Sequence, residues 1–183
     1  TRNGLNRLLP DGSGFRRWRH RQEDPFSLSD NGVWCVLEDS AGTLWVGTDR
    51  GLNRKVGEDR FERYLADPQK SGALCHDTVT VLFQDRQERL WVGTNGGLGL
   101  MSADRPHFQC YTESDGLVSN SIRAIQEDQD GHLWIASKKG LSRFDPRTAS
   151  FTSFDVTDGL QGEEFSRVSL HTKGGALVFG GRN

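Results

Sequence analysis

The sequence predicts an all-β fold, a β-propeller of four-stranded antiparallel blades, and three observations predict it. A segment of the form Leu-Trp-Val-Gly-Thr recurs at steps of 46, 43 and 44 residues, so the chain repeats. Each repeat holds four short apolar runs separated by turn residues, which is typical of strands rather than helices. The 183 residues include 22 glycines and only 34% hydrophobic residues. That composition suits many short strands joined by turns.

A tight turn joins the first two strand-length segments of each repeat. The first segment lies near 33–37, 79–83, 122–125 and 165–168, and the second begins at Leu44, Leu90, Leu133 and Leu177. Asp39, Asp85 and Asp128 open the polar spans between them, as expected for hairpin turns. These aspartates lack the regular spacing of oxygen ligands in a calcium loop. We therefore predict turn formation here, with no metal site and no cofactor.

The second segment also carries a column of tryptophans, Trp45, Trp91 and Trp134. A four-stranded sheet cannot bury both faces alone, so blades must stack face to face around an axis. Indole rings are large enough to bridge adjacent sheets. We expect this column to fill the space between neighbouring blades.

The two ends of the chain each hold part of a repeat. The prediction is a single propeller segment, 1–183, with a half-blade at 1–20, whole blades at about 29–65, 75–111 and 118–154, and a half-blade at 161–183. This is about four blades' worth of sequence. Either the half-blades pair with each other and close a four-bladed ring, or the intact propeller is larger. In the second case, missing blades or a second copy of the chain are expected partners.

Charge and cysteine content narrow the classes of partner. Basic residues number 23 and acidic residues 25, and no basic run is long enough to follow a phosphate backbone, so nucleic acid is not expected. No apolar stretch approaches the ~20 residues needed to cross a bilayer, so membrane contact is expected only through absent segments. The cysteines are three, an odd number, and lie far apart at Cys35, Cys75 and Cys110, so they predict neither a zinc site nor a disulfide framework. Cys35 is interpreted as a buried, inert thiol.

The pattern Val-x-x-Leu-x-Glu-Asp-Ser-x-Gly-x-Leu-Trp-Val-Gly-Thr-x-x-Gly-Leu-Asn-Arg, from Val33 to Arg54, resembles the two-component regulator propeller repeat. The resemblance extends over nearly the whole chain. It implies a non-catalytic sensor of a bacterial hybrid histidine kinase or membrane-bound diguanylate cyclase. Such a sensor would be periplasmic, as part of an inner-membrane protein. It would bind a small molecule or oligosaccharide on the propeller face and pass the signal to downstream domains of the same protein.

The loops between blades are the expected place for a site, since loops on a rigid scaffold commonly carry function. One aligned column ends these loops, two residues before each inner strand. We expect it to ring the mouth of the axis, although loop capping by short polar side chains is the competing interpretation. Its members are Asn31, Asp77, Asn120 and Glu163.

A second group lies between the second and third strands, where residue types vary from blade to blade. Its members are Arg50, Asn95, Lys138 and Arg182. Together with Arg123 and Arg167 they could form a positive patch for a carboxylated sugar or another anion, or simply a solvated rim. Arg167 aligns with the small apolar residues Cys35, Val81 and Ala124. A charge there must pair, with Glu163 or Glu164, or reach the channel.

Two other function classes remain open at the sequence level. A propeller enzyme, such as a polysaccharide lyase or a streptogramin-type lyase, would place a histidine or carboxylate at the axis. Only His20 and His76 fall in inter-blade loops, so no catalytic residue is predicted and His76 is kept as a ligand-binding candidate. A protein-binding scaffold fits the fold equally well.

Overall fold

The computed structural model of the chain describes residues 2–102 and 107–181, which form antiparallel strands and two short 3₁₀ turns, Glu113–Asp115 and Val156–Asp158. Within these ranges the strands are β1 (Leu5–Leu8), β2 (Phe15–Trp18), β3 (Val33–Glu38), β4 (Leu44–Thr48), β5 (Gly51–Lys55), β6 (Phe61–Tyr64), β7 (Val79–Gln84), β8 (Leu90–Thr94), β9 (Leu98–Met101), β10 (Phe108–Tyr111), β11 (Ile122–Glu127), β12 (Leu133–Ser137), β13 (Leu141–Asp145), β14 (Ser150–Phe154), β15 (Phe165–His171) and β16 (Leu177–Gly181). No helix of the described residues is long and apolar enough to cross a membrane.

The strands assemble into three four-stranded sheets and two two-stranded sheets. The whole blades have the orders β3-β4-β5-β6, β7-β8-β9-β10 and β11-β12-β13-β14, and the half-blades are β1-β2 and β15-β16. The predicted all-β propeller fold is therefore confirmed. Among the described residues β16 and β1 belong to separate sheets, so the half-blades do not close on each other in this structure.

The hydrophobic core lies between blades, as predicted for Trp45 and Trp91, whereas Trp134 is half-buried and stacks on Phe154 of its own blade. Trp45 packs with Leu74 and Leu82 between the first and second whole blades. Trp91 has no exposed surface and packs with Tyr111 and Phe144 between the second and third. Burial of such large rings from two sheets at once holds the blades in their stack.

Each hairpin aspartate is bonded to the tryptophan six residues later. In the second blade Asp85 Oδ1 accepts hydrogen bonds from the amides of Gln87 and Arg89, and Oδ2 accepts from the Trp91 indole at 2.7 Å. The same indole bond occurs in the first and third blades, at 2.8 Å in each. These pairs are Asp39 with Trp45 and Asp128 with Trp134. The aspartates therefore form the turns, as predicted, and also fix the ring orientation in the core.

Two of the carboxyl groups near the third hairpin have lowered pKa values, which predicts an acid-sensitive fold. Hydrogen bonds from Arg147 bring the pKa of Asp145 to about 2. Burial opposes ionisation of Asp128, but hydrogen bonds from the Trp134 indole and the His132 amide outweigh it and keep its pKa below the ordinary value. A carboxyl group with a lowered folded-state pKa stabilises the fold above its unfolded pKa, and that contribution disappears as the pH falls.

We accordingly expect the urea midpoint to fall between about pH 4 and pH 2. Asp128→Asn should flatten this part of the pH profile, because the asparagine cannot titrate. Asp130→Asn, at an exposed position of the same turn, is the control and should retain the fall of the midpoint with pH. Equal pH profiles for wild type and Asp128→Asn would contradict a lowered pKa of Asp128 in the folded protein.

One sequence-level prediction about cysteines is wrong, because Cys75 and Cys110 form a disulfide. The two residues are 35 positions apart, one in the loop before β7 and the other in the outer strand β10 of the same blade. They meet because the loop folds back along that strand, where the Phe108 amide donates to the Gly72 carbonyl at 2.9 Å. Cys35 is the free cysteine, and burial raises the pKa of its thiol to about 12, as expected for an inert group.

The half-blades expose apolar side chains that whole blades bury. Leu8 and Phe15 are cross-strand partners on the β1-β2 sheet and are 56% and 68% exposed. On the β15-β16 sheet the exposed apolar side chains are Val168, Leu170 and Val178. Each surface occupies the position at which a whole blade packs against its neighbour.

Candidate functional site

The inner strands surround an axial channel, and a β-bulge in three of them redirects one side chain. The strands β3, β7, β11 and β15 contact one another in that order. The pairing of each with its second strand shifts by one residue at Trp34, Thr80 and Arg123 respectively. Bulges of this kind turn a side chain away from the normal alternation. Of the three bulge residues, Thr80 is buried and donates to the Ile122 carbonyl of the next inner strand, whereas Trp34 is exposed.

The fourth inner strand, β15, contains one residue more than the others, and this corrects the alignment of Arg167. Ser166 Oγ donates to the Gly180 carbonyl at 3.0 Å, as Thr80 Oγ1 does to the Gly93 carbonyl. A side chain on Gly180 would contact Val168, just as one on Gly93 would contact Val81. Val168 therefore takes the place equivalent to Cys35, Val81 and Ala124, and Arg167 is the inserted residue. The expected burial of a charge among apolar groups does not arise, because Arg167 is exposed.

Arg167 reaches Trp34, although their strands lie at opposite ends of the series of inner strands. Its guanidinium carbon is 3.9 Å from the centroid of the Trp34 ring, a cation–π contact. The Trp34 indole donates to Asp49 Oδ1 at 2.7 Å. Trp34 is 42% exposed, so an aromatic ring of fixed orientation remains open to solvent in the channel.

Next to this contact is a cavity of about 250 Å³. Its lining residues are Arg123, Glu164, Phe165, Ser166 and Arg167. We call Trp34, Asp49, Arg123, Glu164 and Arg167 the Trp34 cluster. It combines an exposed ring, two guanidinium groups and two carboxylates, which can stack on a ligand and form hydrogen bonds to it. The predicted residues that the structure brings together are thus Arg123 and Arg167.

Three members of the first predicted column hydrogen-bond to the backbone of their own loops. The side-chain oxygens of Asn31, Asp77 and Asn120 accept from the amides of residues 20, 66 and 113, at 2.9, 2.8 and 2.7 Å. Glu163, the fourth member, is exposed. This geometry favours the loop-capping interpretation for the first three.

The second predicted group is more dispersed. Arg50 and Lys138 are exposed on their loops, and Asn95 Oδ1 accepts from the Ser121 hydroxyl at 3.1 Å in the adjacent blade. Arg182 lies outside the described residues. The structure places none of the described three in the Trp34 cluster.

The two loop histidines are each used locally. His20 Nδ1 is 2.8 Å from the Leu28 carbonyl, and His76 Nδ1 accepts from the Thr78 amide at 2.9 Å. His76 is exposed and directly follows Cys75, whose disulfide anchors this loop. Neither histidine lines the cavity beside Arg167.

A possible group of metal ligands lies at the hairpin of the third blade. Ligand atoms of Asp128, Asp130 and His132 lie within 4.8 Å of one another. Asp128 already accepts from the amides of Asp130 and His132 and from the Trp134 indole. These bonds account for the geometry as a hairpin turn, consistent with the interpretation of the aspartates from the sequence.

Sequence reasoning missed Trp34 as a site residue. Trp34 lies outside the tryptophan column, in the inner-strand position where the other repeats carry Thr80 and Arg123. An aromatic residue in a variable, non-core position was the available signal. Its importance depends on the contact with Arg167, which only the three-dimensional arrangement reveals.

Comparison with solved structures identifies proteins of similar fold. One is an extracellular domain assigned to a hybrid two-component system of B. thetaiotaomicron, with a TM-score of 0.83, 23% identity, and coverage of 98% of this chain and 24% of that one. Another, assigned to a one-component system of the same organism, has a TM-score of 0.79 and 27% identity, with coverage of 98% of this chain and 26% of that one. This chain therefore spans about a quarter of the length of these domains.

An enzyme also shares the fold. Virginiamycin B lyase from Staphylococcus aureus has a TM-score of 0.71 and 16% identity, with coverage of 98% of this chain and 57% of the lyase. No curated protein sequence matches the chain. The model of the two-component regulator propeller matches three stretches, residues 27–50, 73–96 and 116–139, each spanning the inner two strands of a whole blade. These three stretches of the chain therefore match the two-component regulator propeller repeat, the family that the sequence pattern resembles.

Proposed function

We propose that the chain is a non-catalytic ligand-sensing module of a bacterial membrane-bound signalling protein, with its ligand at the channel face of the propeller. The observation that carries the proposal is the contact of Trp34 with Arg167 from a distant inner strand. An exposed, immobilised ring in contact with Arg167, next to a cavity that Arg123 also lines, is suited to hold a polar ligand in one orientation. A ligand there would touch several blades at once, so binding would be coupled to their relative positions.

The family and the disulfide support an extracytoplasmic location. Two solved domains of similar fold are extracellular parts of bacterial signalling systems. A disulfide such as Cys75–Cys110 persists in oxidising compartments and is rare in the cytosol. We propose a periplasmic module whose membrane anchor and output domain are other segments of the same protein. The apolar surfaces of the half-blades would be covered by further blades or by a second copy of the chain.

The competing function is that of a lyase, which the fold of virginiamycin B lyase favours. One related structure is a catalytically inactive histidine-to-alanine variant of that lyase bound to quinupristin. Of the two histidines in the inter-blade loops of the present chain, His76 is the exposed one, so it is the candidate for a catalytic role. A direct comparison of Trp34 and His76 variants separates the two functions.

The test is thermal denaturation with a panel of neutral and acidic mono- and oligosaccharides, together with an assay for consumption of each sugar. Sensing predicts that at least one sugar raises the melting temperature by several degrees. Trp34→Ala should abolish the rise and His76→Ala should retain it, with no sugar consumed. Consumption that His76→Ala abolishes would establish the enzyme instead. A panel without any effect, together with recovery of a protein partner, would favour the scaffold.

A further inference from the structure

We propose that two copies of this chain assemble into a dimer in which the half-blade β15-β16 of each copy completes the half-blade β1-β2 of the other. The interaction surface consists of the edges of β16 and β1 and of the groove beside β1. The inference does not depend on the proposed sensing function. Three matches between the half-blades lead to it: the strand register, the apolar faces and an aromatic pair.

The two half-blades are complementary parts of one blade. The Gly4 amide donates to the Asn31 carbonyl at 2.9 Å, and at the start of the third strand of the first whole blade the Gly51 amide makes the same kind of bond. The half-blade β1-β2 thus corresponds to the third and fourth strands, and β15-β16 corresponds to the first and second. Among the described residues, β16 and β1 each pair with a strand on one edge only, and their sheets are separate. Each half-blade therefore lacks the two strands that the other provides.

The strand register of a whole blade transfers directly to β16 and β1. In the first whole blade Trp45 lies opposite Arg54 in the antiparallel pairing of the second and third strands. The corresponding residues of the half-blades are Val178 and Arg7. Unpaired strand edges are templates for pairing with another chain. Main-chain hydrogen bonds between β16 of one copy and β1 of the other would restore a four-stranded sheet.

A groove beside β1 lies where a whole blade has its first two strands. Its volume is about 540 Å³, and its walls come from β1 and from the inner strands β3 and β4. The groove exposes 52% of Val36, whereas the equivalent Leu82 of the next blade is buried and packs with Trp45. Val178 has the position of Trp45 and is 51% exposed. The half-blade β15-β16 of a second copy would bring Val178 against Val36 and remove both from water.

An aromatic contact recurs between the outer strands of successive blades, and the half-blades carry its next two members. Each contact joins the last residue of one outer strand to the phenylalanine that begins the next. The pairs are Trp18 with Phe61, Tyr64 with Phe108 and Tyr111 with Phe151, at ring-centroid distances of 6.1, 6.0 and 6.0 Å. Phe154 ends the outer strand of the third whole blade, and the exposed Phe15 begins β2. Phe15 of a second copy would continue the series on Phe154.

Two copies joined in this way form a closed ring. Each copy contributes three whole blades, and the two composite blades bring the total to eight, within the usual range for propellers. Both junctions use the same pair of surfaces, as a two-fold axis along the channel requires. The ring leaves neither β1 nor β16 with an unpaired edge.

The first experiment measures the mass of the chain by light scattering after size-exclusion chromatography, over a wide range of concentrations. The expected mass is twice 20.5 kDa. Phe15→Asp should raise the dissociation constant of the dimer by about a hundredfold or more, because it places an unpaired charge in the contact. Phe26→Asp is the matched control. It makes the same change at an exposed phenylalanine of the loop before β3 and should leave the dimer intact.

The second experiment locates the contact by cross-linking. Val178→Cys and Arg7→Cys are placed in separate chains, each with Cys35→Ala, and the two proteins are mixed and treated with oxidised glutathione. Residues directly opposite each other in antiparallel strands lie within reach of a disulfide. A covalent dimer with one copy of each variant should therefore form. Ser13→Cys, in the exposed turn between β1 and β2, replaces Arg7→Cys in the control mixture and should give none.

Each contrary outcome overturns the inference in a different way. A chain that stays monomeric at every concentration has no such dimer. A dimer that survives Phe15→Asp and gives no cross-link between Val178→Cys and Arg7→Cys has its contact elsewhere. A monomer that carries both cysteines and cross-links internally would show that the half-blades pair within one chain. None of these results affects ligand binding by the chain, so the sensing function stands or falls separately. Circular dichroism of each variant confirms that the fold is retained.

Discussion

Trp91→Ala is expected to lower the free energy of unfolding by about 4 kcal/mol. The Trp91 ring is fully buried between the second and third whole blades, 5.7 Å from Phe144 and 6.4 Å from Tyr111 by ring centroids. Its removal leaves a cavity that rigid sheets on both sides cannot close. The substitution also removes the indole N–H that donates a hydrogen bond to the buried Asp85 carboxylate.

The matched control is Trp34→Ala, which removes the same side chain from an inner strand where it is 42% exposed. This change removes the stacking with Arg167 and should cost about 1 kcal/mol or less. Urea denaturation of both variants, monitored by far-ultraviolet circular dichroism, provides the comparison. Similar losses from the two substitutions would contradict the location of the core between blades.

Loss of the Cys75–Cys110 disulfide is expected to cost about 3–4 kcal/mol, as estimated from loop-closure entropy for partners 35 residues apart. The cross-link ties the loop before β7 to the outer strand β10, so the unfolded chain gains freedom without it. A reductant should therefore lower the urea midpoint of the wild type. The Cys75→Ser/Cys110→Ser double variant should start at that lower midpoint and not respond to reductant.

Cys35→Ala serves as the control for thiol chemistry, because Cys35 is the free cysteine. This variant should respond to reductant as the wild type does. Thiol titration of the unfolded, unreduced wild type should detect one thiol. Detection of all three cysteines as thiols in protein purified from an oxidising compartment would show that the bond does not form.

The fold could be predicted from the sequence because its main determinants are local and repeated. The Leu-Trp segments of the three whole blades have nearly constant spacing, and each hairpin has an aspartate six residues before its tryptophan. Repetition at fixed spacing averages out the ambiguity of any single strand. The stacking of blades on Trp45 and Trp91 follows from the size of the rings.

The site could be predicted only in part, because it depends on small departures from the repeat. Phe165 and Leu177 are 12 residues apart, whereas Val33 and Leu44 are 11 apart. That single extra residue moves Arg167 out of the column to which alignment assigned it. The position of the extra residue within β15 depends on hydrogen bonding by Ser166 and on packing at Gly180. Neither is visible in the sequence pattern.

The disulfide was missed for a similar physical reason. Cys75 and Cys110 come from a loop and an outer strand that the repeat does not place together. Their meeting depends on how the loop before β7 folds back along β10. Spacing along the chain carries no record of that path.

The central claim is that a ligand binds at the channel over Trp34 and is not consumed there. Nuclear magnetic resonance tests this most directly, because each of the five tryptophans gives a separate indole N–H signal that single Trp→Phe variants assign. Titration with the sugar of the panel that most raises the melting temperature should shift the Trp34 signal and leave the other four in place, while the signals of the sugar stay unchanged over a day. Shifts confined to the other indoles, no shift at all, or conversion of the sugar into another compound would contradict the account.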